Sequence, residues 1–261
     1  MKTTILCFSG NGNSYWVATE LAKQLDDATV LMIPSLMEVD SIELGQRVGI
    51  VYPAYKFFPP NLATYFVETV LSEQNLDGVA SLFQVCTYNR ACSWALSAME
   101  RTLTQAGLAV SYTGRVKMAN TYVPLFKTPS DERIDRYYTE AAKQIAQMAR
   151  DIEEGAIKLA PRAPFARLAT RRLMKPIHRS LMDGAAAFAV TDACNACGLC
   201  QRICPSGNIE IRGGKPLWDR VCSGCLACYH RCPEQAIIFK SRIRGDHYPN
   251  ERSGYHVEYR P

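Results

Sequence analysis

Over the first 120 positions, hydrophobic residues come in short dense runs, each followed by a polar loop and then by apolar residues at helical spacing. Residues 3–8 (TTILCF) combine β-branched and apolar side chains without a polar face, the pattern of a parallel strand buried on both sides. Residues 29–33, 47–52 (RVGIVY), 79–88 (VASLFQVCTY) and 108–116 predict four more strands. Residues 15–25, 61–71 and 94–106 predict the intervening helices, the first with Trp16, Val17, Leu21 and Leu25 available for one face. A long closing helix is expected over 131–154. Strict alternation of strand and helix implies an α/β domain over 1–154, a doubly wound parallel five-stranded sheet with helices on both faces. Ligands of such sheets sit beyond the carboxyl ends of the strands, where the strand order reverses. Three loops fall at those ends: Ser9-Gly10-Asn11-Gly12-Asn13-Ser14, Pro53-Ala54-Tyr55 and Thr87-Tyr88-Asn89-Arg90.

The pattern changes after residue 154. Residues 155–189 read as a basic linker, with Lys158, Arg162, Arg167, Arg171, Arg172, Lys175 and Arg179 against the single acid Asp183. Pro161, Pro164 and Pro176 interrupt it, and 165–174 is the one stretch with helical character. It is either a solvated connector or a dock for an acidic redox partner, a phosphate-bearing cofactor or an anionic membrane surface. The tail, 241–261, is polar and aromatic, with His247, Tyr248, Tyr255, His256 and Tyr259. It reads as either an ordered strap or a frayed end.

Between linker and tail, cysteine sets the pattern. Eight of the chain's eleven cysteines lie in two runs. The first is Cys194-x2-Cys197-x2-Cys200-x3-Cys204-Pro205, and the second is Cys222-x2-Cys225-x2-Cys228-x3-Cys232-Pro233. Three cysteines at x2 spacing let one loop wrap three corners of an iron–sulfur cube, while the fourth crosses to the other cube. Cys194, Cys197, Cys200 and Cys232 are thus expected to hold one [4Fe–4S] cluster, and Cys222, Cys225, Cys228 and Cys204 a second. Zinc ribbons also use C-x2-C pairs, but four cysteines ending in Cys-Pro, given twice, are not their pattern. A disulfide framework does not suit thiols this crowded in a chain that opens without a signal-peptide pattern. The short strands after each run, at 208–211 and 236–239, are expected to pair with one another and close a small α+β domain over 190–240. Trp218, between the runs, is expected to shield a cluster from water.

The first loop joins a strand to a helix N-terminus, where backbone N–H groups and the helix dipole favour an anion. It lacks the lysine of GxxxxGK[ST] and is not GxGxxG. Small hydroxyl and amide side chains without a cation suit a phosphate monoester; the plain alternative is a strand–turn–helix corner capped by Ser or Asn. The run Phe8-Ser9-Gly10-Asn11-Gly12-Asn13-Ser14 resembles the FMN phosphate loop of flavodoxins, and Tyr55 and Tyr88 fall in loops like those flanking the flavin ring there. With the cysteine runs, the chain resembles flavodoxin–ferredoxin fusion proteins of anaerobes. That resemblance implies FMN held by residues 9–14, 53–55 and 87–90. It departs from the flavodoxin pattern at Gly12 and Ser14, where threonines are usual. Arg90 stands where acidic residues are common, and a cation there favours the negative charge a flavin ring gains on reduction.

Composition narrows the rest. With 261 residues, 48% hydrophobic content and a net charge of +5, the chain reads as a globular protein of about two domains. No apolar run approaches the ~18 residues of a membrane span, and a reducing cytoplasm is the expected location. No nucleic-acid-binding module accompanies the basic charge. Cys7 and Cys86 lie on expected buried strands and read as small apolar residues; Cys92 falls near the expected flavin loop, but with no adjoining acid or His it is not read as a catalytic thiol. No Ser/His/Asp arrangement is visible among four scattered histidines, so no catalytic residue is assigned. The sequence leads to an electron-transfer flavo-iron–sulfur protein serving a redox partner protein or a small-molecule donor or acceptor. Two alternatives stay open: a redox-sensing ferredoxin with an empty flavodoxin-like docking domain, and a flavin-dependent reductase.

Overall fold

A computed structural model describes residues 1–160, 187–239, 246–248 and 250–260. The expected helix at 165–174, most of the basic linker and the start of the tail lie outside them. The chain divides into two compact units. The first comprises Met1–Ser9, Asn13–Ala119 and Asp131–Ala166, and the second Gly10–Gly12, Asn120–Ser130 and Arg167–Pro261.

The first unit is a five-stranded parallel sheet built from β1 (Thr3–Cys7), β2 (Ala28–Met32), β3 (Arg47–Pro53), β4 (Ser81–Tyr88) and β5 (Tyr112–Lys117). The order β2-β1-β3-β4-β5 is that of the flavodoxin-like doubly wound fold, with its switch point between β1 and β3. Period-two alternation sorts side chains to two cores. Ile5, Cys7, Val51, Phe83 and Val85 face α1 (Asn13–Ala22) and α4 (Asp131–Glu153). Leu6, Phe8, Val48, Ile50 and Tyr52 face α2 (Asn61–Thr69) and α3 (Ser93–Gln105). The central strands have no polar face because helices cover both sides, whereas the edge strand β2 is only partly buried. Gly49 interrupts β3 for a packing reason: an added Cβ would lie 2.1 Å from the Phe83 ring.

The strand expected from residue 108 starts at Tyr112. Leu108 packs into the α2/α3 core instead, and Ser111 N–H bonds the Leu82 carbonyl at 2.8 Å. The outer side of β5 is covered by the chain after α4, where Thr113 N–H donates to the Lys158 carbonyl and Lys158 N–H to the Ser111 carbonyl. That single bridge covers the start of the β5 edge.

The second unit contains β6 (Phe188–Val190), α5 (Leu199–Arg202), β7 (Ile209–Arg212), β8 (Lys215–Trp218), α6 (Ala227–His230) and β9 (Ile237–Phe239). Here one expectation is corrected. The strands after the two cysteine runs do not pair with each other: β7 pairs with β8, and β9 with β6, all antiparallel. The reason is local. Gly213 and Gly214, with φ of 57° and 75°, form a two-residue turn that returns the chain onto β7 directly. Closing that short hairpin requires far less chain ordering than joining strands 28 residues apart. The strand before each cysteine run therefore pairs with the strand after the other run, which preserves a two-fold plan by different partners. Val123, Phe188, Ile209, Leu226, Tyr229 and Ile237 form its core, where Phe188 stacks on Trp218 with centroids 5.2 Å apart.

Candidate functional site

The two cysteine runs fold alike, position by position. Cys194 and Cys222 begin them 28 residues apart, and left-handed backbone recurs at that offset. Ala196 and Gly224 have φ of 57° and 64°, Gly198 and Leu226 74° and 62°, and Gly207 and Gln235 58° and 48°. A left-handed non-glycine residue costs about 1–2 kcal/mol, and the runs carry it at Ala196, Leu226 and Gln235. One turn of helix carries the third cysteine of each run, α5 starting after Gly198 and α6 after Leu226.

Backbone N–H groups aim at the sulfurs. Asn208 N–H reaches Cys204 Sγ at 3.3 Å, Ala236 N–H reaches Cys232 Sγ at 3.3 Å, and Gly224 N–H reaches Cys222 Sγ at 3.4 Å. Such donors favour thiolate over thiol. The cysteines also sort by neighbourhood. Cys194, Cys197, Cys200 and Cys232 line one cavity, together with the apolar Ile211, Pro216 and Ile237. Burial pushes the Cys200 thiol up to about 11, with Cys197, Cys232 and Cys194 adding to it. Burial also raises the Cys225 and Cys228 thiols, and their sulfur neighbours are Cys204 and Cys222. Each set therefore joins three cysteines of one run to the last cysteine of the other. Apolar surroundings that disfavour free thiolates, combined with N–H donors that await them, fit a cationic iron–sulfur group at each set.

In the first unit, the strand-end loops are held by side chains. Ser9 and Ser14 are buried, and Ser14 Oγ lies 2.7 Å from Thr87 Oγ1, tying the loop after β1 to the end of β4. Asn13 Nδ2 donates to the Ala119 carbonyl at 2.9 Å. Asn89 Nδ2 donates to the Met118 carbonyl at 2.8 Å and to Tyr137 Oη at 3.2 Å. Ala54 N–H bonds the Thr87 carbonyl at 2.8 Å. Tyr55 and Phe58 exchange two backbone bonds across a tight turn, with Lys56 and Phe57 both left-handed at φ 48° and 74°. Phe57 stays exposed and meets Trp94 edge-on at 5.9 Å. Pro53 and Tyr88 are half-buried, and Arg90 is exposed.

The middle of the first loop behaves differently, since Gly10–Gly12 belongs to the second unit. Asn11 Nδ2 donates to the Tyr248 carbonyl at 2.8 Å, and Asn250 Nδ2 donates to the Asn11 carbonyl at 2.8 Å. Gly12, at φ 90°, faces Ser253, whose Oγ lies 2.1 Å from where a Cβ would stand. The tail reaches this loop from α6. His230 Nδ1 accepts from Tyr248 N–H at 3.1 Å, and its Nε2–H donates to the Thr121 carbonyl at 2.8 Å. Burial drops its pKa to about 4, so the ring is neutral with both nitrogens bonded. His247 stacks on Tyr229 at 4.1 Å, and Tyr259 N–H bonds the Arg202 carbonyl.

Residues 193–237 match a 4Fe-4S dicluster domain. No curated protein matches the chain. Among solved structures, Fusobacterium nucleatum flavodoxin bound to flavin mononucleotide is similar at 15% identity, over 60% of this chain and 100% of that one, with a TM-score of 0.42. Two-electron reduced Megasphaera elsdenii flavodoxin is similar at 14% identity, over 56% of this chain and 98% of that one, with a TM-score of 0.36. The NAD(P)H:quinone oxidoreductase from Methanothermobacter marburgensis shows 12% identity, over 59% and 96%, with a TM-score of 0.38. The chain thus joins a unit with flavodoxin-like strand order to a segment of dicluster type. Among the described residues, no helix is long and apolar enough to cross a membrane.

Sequence reasoning missed Thr121 and Val123, which lie between β5 and α4 and meet the dicluster segment. It also missed Asn250 and Ser253 of the tail, which meet Asn11 and Gly12. No motif marks any of them. The available signal was the density of aromatic and amide side chains in a tail too polar to form a core of its own.

Proposed function

We propose that this chain is an electron-transfer protein carrying two [4Fe–4S] clusters and FMN, exchanging electrons with an external redox partner. The sorting of eight cysteines into two sets of four, each completed by the other run, carries this reading. Cys194, Cys197, Cys200 and Cys232 hold one cluster; Cys222, Cys225, Cys228 and Cys204 hold the other. Ser9, Asn13 and Ser14 at the head of α1 suit the flavin phosphate, and the loops 53–55 and 87–90 flank the ring. Clusters exchange single electrons and a flavin one or two, so a chain holding both links one-electron and two-electron partners. The protein's own part is to position the groups and to exclude water.

The test is cofactor content after strictly anaerobic purification. About eight irons and eight acid-labile sulfides per chain are expected, with one FMN identified by chromatography. Zinc in place of iron would overturn the cluster assignment. A second reading, a ferredoxin on a flavin-free docking scaffold, is favoured by one observation: Asn11 and Gly12 already engage Tyr248, Asn250 and Ser253. Iron in full but no flavin, even after incubation with FMN, would decide for it. With FMN bound, Arg90→Glu is expected to lower the flavin midpoint potential, because an exposed cation beside the ring is replaced by an anion. An unchanged midpoint would place Arg90 away from the ring.

A further inference from the structure

The halves of the cysteine module differ at many positions, and two of those differences fall beside the same set of cysteines. On the backbone, Asn208 N–H on Cys204 is matched by Ala236 N–H on Cys232, each at 3.3 Å, while Gly224 N–H at 3.4 Å from Cys222 adds a donor to the set that holds Cys204. The side chains differ further. Asn208 stands where the other half has Ala236, 28 positions on, and Trp218 stands where the other half has Val190, 28 positions back. Each replaces an apolar side chain with an N–H donor.

Both donors are buried without an answering acceptor. Asn208 is 5% exposed, and neither atom of its amide meets a partner among the described residues. Trp218 Nε1 is likewise buried and unanswered at full hydrogen-bonding geometry. Trp218 packs against the apolar cluster that contains Cys228. A buried unsatisfied N–H costs about 1–3 kcal/mol, so two of them around one set of cysteines call for an acceptor there. A cluster sulfur is one. The carbonyl half of the Asn208 amide is not answered by a sulfur and plays no part in the inference.

We propose that Trp218 and Asn208 donate side-chain N–H bonds to the sulfurs of the cluster held by Cys204, Cys222, Cys225 and Cys228, and so raise the reduction potential of that cluster alone. This rests on the cluster reading above. The physical reason is that reduction adds negative charge to the sulfurs, and a donor stabilises the more negative state more strongly. The compensation is needed on that side. Cys228 is buried whereas Cys197 of the other set is exposed, and burial removes the water that would otherwise stabilise the reduced cluster. The two donors take over that role where solvent cannot reach.

The experiment is an anaerobic potentiometric titration of the full chain, followed by electron paramagnetic resonance, for wild type, Trp218→Phe, Asn208→Ala and Ala236→Asn. Iron and sulfide analysis comes first. If wild type holds no clusters, the function reading fails before any potential is read. With clusters present, Trp218→Phe, which keeps a ring against Phe188, and Asn208→Ala are each expected to lower the same one of the two midpoints. The expected size is about a tenfold drop in that cluster's reduced-to-oxidised ratio at fixed potential, or about 59 mV. Ala236→Asn is expected to raise the other midpoint. Should Trp218→Phe assemble poorly, Asn208→Ala and Ala236→Asn decide. Midpoints that stay put, move together, or move on different clusters for the two donors overturn the proposal.

Discussion

Cys204→Ser is expected to disrupt the cluster of the other run, not that of its own. Cys204 sits with Cys222, Cys225 and Cys228, while Cys194, Cys197 and Cys200 are completed by Cys232. The spectrum of the surviving cluster in Cys204→Ser should therefore match that of Cys228→Ser and differ from that of Cys200→Ser. About four of eight irons should remain. A Cys204→Ser protein that matches Cys200→Ser would show that each run closes its own cluster. The effect on folding should be large. The core of the second unit is a handful of side chains around Val123, Phe188, Ile209 and Ile237, and its strands are three or four residues long. Such a core supplies little folding energy, so bound clusters are expected to hold the fold. Limited proteolysis should cut the second unit far faster in the variant, while the sheet of the first unit resists as before.

How much of this was legible depended on whether the signal was local. β1, β3 and β4 were readable because burial on both faces leaves no room for polar residues, as in Ile5–Cys7 and Ile50–Tyr52. The dicluster character of 193–237 was readable because ligand spacing is set by the cube itself. The pairing of the short strands was misread although its cue was present: Gly213-Gly214 between IEIR and KPLW is a hairpin signal, and a local turn outcompetes a distant pairing. The start of β5 was misjudged because Leu108 and Val110 are apolar for a different reason, packing against the α2/α3 core. The tail's contacts with Asn11 and Gly12 could not be read at all, since hydrogen bonds across some 240 residues leave no periodicity in either partner.

Glu153→Gln is expected to destabilise the first unit far more than any neighbouring surface change. Arg47 opens β3, its side chain is only 5% exposed, and its guanidinium forks onto Glu153 with Nη1–Oε1 at 2.6 Å and Nη2–Oε2 at 3.0 Å. The pair fastens the last turn of α4 to the start of a central strand, and Glu153 also accepts from Asp26 N–H at 3.1 Å. Removing the carboxylate charge leaves a buried guanidinium without its counter-ion. The cost should be about 2 kcal/mol, below the ~3–5 kcal/mol of a fully buried pair because the Glu153 side chain keeps 31% exposure. For a unit of this size that lowers the melting temperature by roughly 4–8 °C. The pH dependence follows from the same contact. The hydrogen bond from Arg47 holds the Glu153 carboxyl below its usual range. Its stabilisation is therefore complete above the unfolded-state pKa of about 4.3 and is lost as pH falls through the lower folded-state value. The gap between wild type and Glu153→Gln should stay constant from pH 8 to 5 and narrow in acid. Glu154→Gln, one residue on and exposed, should change stability by less than about 0.5 kcal/mol. The measurement is thermal unfolding by far-UV circular dichroism, reading the transition that is not accompanied by loss of cluster absorbance. Equal melting temperatures for the two variants would mean that Arg47 is satisfied without Glu153.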